Sequence, residues 1–185
     1  MTGSGSAQAT ATTWTIDADH THVGFAVRHM MLATVKGRFA GVSGVVEMDG
    51  DDVASASVQV EIDAATIDTR NEQRDAHLRS ADFFDVANHP AITFRSGRAG
   101  LREDGGLDIT GELTIRGITR EVVLAVEEEG RGVDPWGNER IGFSGTVRIR
   151  RSEFGLTWNQ TLETGGVLVG DEIRITVDVQ IVRSS

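Results

Sequence analysis

The sequence predicts an all-β fold of roughly eight strands and one short helix, and three observations predict it. Segments that alternate apolar and polar residues with period two recur along the chain. The 22 glycines fall largely between short β-branched segments, and there are only 2 prolines. One stretch, residues 69–78, breaks the period with a helix-capping signature. A closed barrel suits this strand count better than an open sheet, because closure removes unpaired strand edges. A sandwich of similar strand count fits the same pattern.

The elements follow in chain order. Val23, Phe25, Val27 and His29 share one face of a strand, with His20 and His22 on the other. From Val35 to Met48 the alternation changes phase near Gly41 to Gly44, which predicts a bulge or sharp bend. Val58, Val60 and Ile62 oppose Gln59 and Glu61. Thr69-Arg70-Asn71-Glu72 matches the capping box, and Gln73 to Leu78 continues it as a helix of about two turns. Phe83-Phe84 follows between aspartates. Adjacent residues on an extended chain point opposite ways, so one aromatic suits a plug inside the barrel and the other a cover at its rim. Pro90 holds His89 extended and marks the start of the next strand. Leu107, Ile109, Leu113 and Ile115 share a face, as do Ile141, Phe143, Val147 and Ile149, and Ile173 to Ile181 at every second position. Val122 to Val126 is apolar on both faces, so its outer side is expected to be covered. Arg116 to Thr119 and Asp134 to Asn138 read as turns.

The 185 residues fit one domain with a sizeable core. A formal net charge of -10 removes the basic footprint that nucleic-acid binding needs. No run approaches the ~20 apolar residues of a membrane helix. The absence of cysteine excludes disulfides, thiolate metal sites and thiol nucleophiles. Residues 1–13 carry no Lys or Arg and no apolar stretch, so they are expected to be a flexible tail on a cytoplasmic protein, with the domain spanning 14–183.

Catalytic chemistry finds little support. His20 and His22 could face a metal, but no third ligand of matching spacing accompanies them, and a structural role is expected. Asp75 and His77 lie two apart on the expected helix and do not face each other, so they do not form an acid–base pair. Arg74 and Asp75 are expected to tie the helix to its neighbouring loops, with Leu78 packed inward. No nucleophile elbow or phosphate loop is present, and Gly165 to Asp171 reads as a turn before a strand. The expectation is a protein that is not an enzyme and holds no metal or cofactor. His29, in phase with Phe25 and Val27, fits either a core histidine or a polar contact for a ligand's head group.

A series of short motifs gives a further indication. Asp17 to His29 reads D-x-x-H-T-x-V-x-F-x-V-x-H, Val35 to Phe39 reads V-K-G-R-F, and Ile67 to Leu78 reads I-D-T-x-x-x-x-R-D-x-H-L. D-F-F-D at Asp82 to Asp85, H-P-x-I-x-F at His89 to Phe94 and G-x-L-T-I-R-G-I-T at Gly111 to Thr119 follow. R-x-x-F-G-L at Arg151 to Leu156 and V-G-D-E-I at Val169 to Ile173 complete the series. In this order they make the chain resemble the YceI-like family along nearly its whole length from Trp14. The resemblance implies a lipocalin-like, eight-stranded antiparallel barrel with an elongated cavity, a long-chain polyisoprenoid or similar fatty lipid as ligand, often a homodimer, and no established catalysis. Combined with the alternation, it makes Phe25, Val27, Phe39, Val58, Val60, Ile62, Phe84, Ile92, Phe94, Leu113 and Phe143 the expected lining, and His29 the expected head-group contact. Two rival readings accompany it: a packed barrel that serves as a protein-interaction module through Val122 to Val126, and an enzyme acting on a bound isoprenoid through His29 or His77.

Overall fold

The computed structural model describes residues 10–185. Ten strands form one antiparallel sheet: β1 (Ala11–Ile16), β2 (His22–His29), β3 (Ala33–Phe39), β4 (Val42–Asp49), β5 (Asp52–Asp63), β6 (Ala91–Leu101), β7 (Leu107–Ile115), β8 (Ile118–Val133), β9 (Glu139–Arg150) and β10 (Val169–Arg183). A single α-helix, α1 (Glu72–Arg79), lies between β5 and β6. The eight strands β1-β4-β5-β6-β7-β8-β9-β10 close into a barrel through pairing of β1 with β10.

The two strands beyond eight arise from interruption. β10 pairs with β9 along one edge; along the other it pairs first with β2, from Val169 to Asp178, and then with β1, from Ile181 to Arg183. β1 and β2 are thus two halves of one stave, broken by a 3₁₀ turn at Ala18–His20. β3 and β4 form the next stave in the same manner, broken at Ala40-Gly41, where the alternation changes phase. β3 does not continue the ring to β5. Beyond its pairing with β2 it meets Asp68 through Arg38, and residues 64–90 with α1 complete the wall at this end.

The barrel is plugged at the opposite end. Ile16 and Ile181 line the interior cavity, while Trp14, one inward position beyond Ile16, and Ile141, paired with Ile181, are fully buried without lining it. Trp14 Nε1 donates to Thr12 Oγ1 (3.0 Å), and that hydroxyl lies 2.6 Å from the Gly50 carbonyl. Thr12 is therefore structural. Strand β1 begins at Ala11, ahead of Trp14, and Thr12 satisfies the indole N–H that burial would otherwise leave unpaired. The rest of the expected tail, residues 1–9, lies outside the described residues.

Two local expectations change. The N-cap of α1 is Asn71, whose side chain accepts from the Arg74 N–H (2.9 Å), and not Thr69. Thr69 is engaged by Asp75 and Arg74, and this competes with capping. The outer face of β8 is also less apolar than its sequence suggests: Val122, Leu124 and Val126 point inward, and the exposed residue outside is Val123. Arg116 and Gly117, both at positive φ, make the two-residue β7–β8 hairpin, a turn whose backbone favours glycine.

Arg140 joins the chain's beginning to the β8–β9 turn. It donates to Asp17 (2.6 Å) and Asp134 (2.8 Å), both of whose carboxyls are held below the usual range by these bonds; Asp17 is lowered to about 2. A depressed folded-state pKa means stabilisation that is present above the unfolded value of 3.8 and lost as pH falls through the folded one. Arg140→Gln is expected to lower the melting temperature at neutral pH, with the difference from wild type shrinking between pH 4 and pH 2, as thermal melts across that range will show.

Candidate functional site

The inward faces of the strands enclose an elongated cavity of about 260 Å³. Its wall is almost wholly hydrocarbon; the polar residues that reach it are Thr21, Ser144 and Arg151. This follows from the period of the strands, since every second residue faces in and those positions are mostly Val, Ile, Leu, Phe or Met, with Ala56 on β5. Glycine adjusts the wall in places. A Cβ at Gly37 would come within 2.3 Å of the Phe25 ring, so that ring occupies the space a side chain would take. Phe25, Phe39 and Phe84 form an aromatic series with centroids 5.7 and 5.8 Å apart, the second pair edge to face.

At the end where β3 leaves the ring, the cavity adjoins a mouth of about 670 Å³, and Phe25, Val27, Leu78, Phe83 and Val169 line both. The mouth is more polar: Arg28, His29, Thr69, Asn71, Gln73, Arg74 and His77 contribute, together with Trp158. His77 Nε2 lies 2.8 Å from the Asp82 carboxylate, and its ring stands edge-on to Phe83 and Trp158. Thr69 fixes the helix against β3. Its N–H donates to Asp75 (3.0 Å), its hydroxyl also bonds Asp75, and Arg74 donates to its hydroxyl (2.7 Å) and its carbonyl (2.8 Å). Arg74 and Asp75 thus tie the helix to the preceding loop, and Leu78 packs inward.

The eleven apolar residues expected as lining all reach this one cavity: Phe25, Val27, Phe39, Val58, Val60, Ile62, Phe84, Ile92, Phe94, Leu113 and Phe143. His29 does not; it stands at the mouth, half-buried. Phe84 sits inside against Phe39, while Phe83 lies at the junction with the mouth beside Trp158. Ile173, Ile175, Val177 and Val179 of β10 also line the cavity, and their alternation was a sufficient signal for it. Trp158 was not foreseeable, because it lies on an aperiodic loop. His20 is structural, with Nδ1 2.7 Å from Asp17. Among the described residues no cluster of three metal-ligating side chains occurs.

Arg151 holds the mouth together. It is 5% exposed, and its guanidinium donates to four backbone carbonyls: Gly170 (2.8 Å), Leu156 (2.7 Å), Trp158 (2.9 Å) and Val169 (3.1 Å). Burial pushes its pKa down, with Asp171 offsetting part of the effect. The four bonds anchor the loop from Leu156 and the first two residues of β10 to one point. Lysine cannot match this planar fork of donors. Arg151→Lys is expected to destabilise the fold by roughly 2–4 kcal/mol through carbonyls left without donors, and limited proteolysis should show new cleavage between Trp158 and Leu168.

Comparison with known proteins agrees with this geometry. Residues 14–181 match the YceI-like domain. The UPF0312 protein VPA0850 of Vibrio parahaemolyticus is 37% identical over 137 residues, covering 74% of this chain and 72% of that protein. The crystal structure of Burkholderia cenocepacia BcnA is similar with a TM-score of 0.77 at 25% identity, covering 89% of this chain and 98% of that one. A polyisoprenoid binding domain from Saccharophagus degradans, implicated in plant cell wall breakdown, shares the fold with a TM-score of 0.70 at 15% identity, over 92% of this chain and 98% of that one. With the family's domain matched over nearly the full barrel and a closed eight-stranded ring around an apolar lumen, this chain belongs to the YceI-like family.

Proposed function

We propose that the barrel binds a long, slender apolar lipid of the polyisoprenoid class and carries or sequesters it. The observation that carries this reading is the elongated cavity walled by hydrocarbon and reached through one polar mouth. An eight-stranded barrel is wide enough for one slim ligand. Each buried CH₂ contributes about 0.8 kcal/mol, so a prenyl tail gains affinity from length without needing polar partners inside. The name of the Saccharophagus degradans domain supports the choice of ligand class through the shared fold.

The lumen speaks against a barrel packed solid, and therefore against the interaction module that would need one. A binding protein, rather than an enzyme acting on the lipid, is favoured because Arg151 is the one titratable side chain among the cavity's lining residues and is committed to backbone carbonyls. His29 at the mouth is the proposed head-group contact. A homodimer and a cytoplasmic location belong to the same reading, and sedimentation velocity and fractionation of the native cells test them. No helix among the described residues is long and apolar enough to cross a membrane.

Native mass spectrometry of protein purified without detergent, followed by solvent extraction, is expected to show a stoichiometric mass increment that extracts as a prenyl lipid. Ala56→Phe with Val60→Phe fills the lumen from β5 and should reduce lipid retention at least about tenfold, while the far-ultraviolet circular dichroism stays that of a β-barrel. Failure of the wild type to retain or take up any isoprenoid would end the reading.

A further inference from the structure

Next to the mouth, the turn between β2 and β3 presents Met30, Met31 and Leu32 to solvent, 42%, 65% and 80% exposed. This is the only run of three consecutive exposed large apolar residues among the described residues. Val167, also exposed, lies alongside: the Met30 N–H donates to the Leu168 carbonyl (2.7 Å), and the Met31 sulfur lies over Gly166. The four side chains therefore form one projecting apolar patch at the rim of the cavity's mouth.

The backbone makes the patch more telling. The Leu32 N–H donates to the His29 carbonyl (3.1 Å), closing a turn whose two central residues, Met30 and Met31, have φ of 54° and 58°. Asn-Gly suits such a turn; two long unbranched side chains do not. The chain tolerates backbone strain here and displays hydrophobic surface, an arrangement that points to use rather than to folding.

Charge at the tip differs from the chain as a whole. The Arg28 guanidinium donates to the Met31 carbonyl (3.1 Å) and to Thr34 Oγ1 (3.3 Å), so it sits at the base of the patch. The mouth is lined by Arg28, His29, Arg74 and His77 and by no carboxylate, although the chain's formal net charge is -10. Glu163, in the adjoining turn closed by Leu162 and Gly166, and Asp82, beside His77, are the opposing charges at hand. Charges beyond about 8 Å are largely screened at physiological salt, so this local balance governs what the tip meets.

We infer that the β2–β3 turn docks the mouth on the surface of a lipid bilayer, with Met30, Met31, Leu32 and Val167 among the acyl chains and Arg28 at the level of the headgroup phosphates. The inference rests on the reading that the cavity takes a membrane lipid, since an apolar ligand passing from bilayer to lumen then avoids water.

The test is flotation of the full chain with vesicles of phosphatidylcholine, alone and with added phosphatidylglycerol. Wild type is expected to float, more completely with the anionic lipid. Met30→Asn with Met31→Gly gives the turn its favoured residues, so this variant should melt at or above the wild-type temperature and yet bind vesicles roughly tenfold more weakly. Arg28→Gln should lose the preference for anionic vesicles, and Glu163→Gln should strengthen it. Wild type that stays with the unbound fraction would overturn the proposal, as would a turn variant that floats like wild type. A turn variant that instead dissociates a dimer in sedimentation velocity, with flotation unchanged, would assign the patch to a second copy of the chain. Native mass spectrometry of the same proteins separates the two ideas: lost flotation with the lipid retained removes docking alone, and flotation without any lipid increment removes the lumen's role alone.

Discussion

Strand β10 has more hydrogen-bonding partners to satisfy than any other, and the shape of the molecule follows from how it divides them. One edge is taken by β9 throughout. The other is shared by β2 near the mouth and by β1 near the plug. Because β1 also pairs with β4, the ring is complete at the plugged end; because β2, on its edge away from β10, pairs only with β3, it is left to loops and a helix at the other. A uniform barrel would have two equivalent ends. This one has a wall that is hydrogen-bonded all round at one end and an assembled opening at the other.

The opening is made by polar anchors rather than by sheet. Arg151 gathers carbonyls from the loop before β10, and Thr69 binds both a cation and a carboxylate of α1. Each network spends its polarity on the backbone or within itself, so the lumen beside them stays apolar even though a buried guanidinium borders it. Where the sheet cannot supply hydrogen bonds, side chains do, and the interior keeps its hydrocarbon character.

Much of the lumen was legible because a strand's period is short and strict. Val58, Val60 and Ile62 on β5, and Phe94, Leu113 and Phe143 on β6, β7 and β9, could be assigned from alternation, since a slip by one residue would have exposed the whole apolar set. The mouth was not legible in this way. Trp158 belongs to a loop with no period, Arg151 is buried by tertiary contacts that no local pattern announces, and His29 continues the inward phase of β2 past the point where the barrel wall ends. Thr69 shows the limit most clearly: its spacing to Glu72 fits a helix cap, yet Asp75 and Arg74 compete for the same side chain and win, which passes capping to Asn71.

The plug of Trp14 and Ile141 has a consequence for time. A tube stopped at one end lets a chain leave only by retracing its path, one segment after another, and away from a membrane each methylene exposed to water adds to the barrier. For the lipid ligand proposed above, residence would lengthen steeply with the length of tail inserted, so that ligands entering with similar ease would be sorted by how long they stay. On that proposal the barrel would choose among chemically similar chains by acting as a clock, with the depth of the lumen setting the longest interval it can measure.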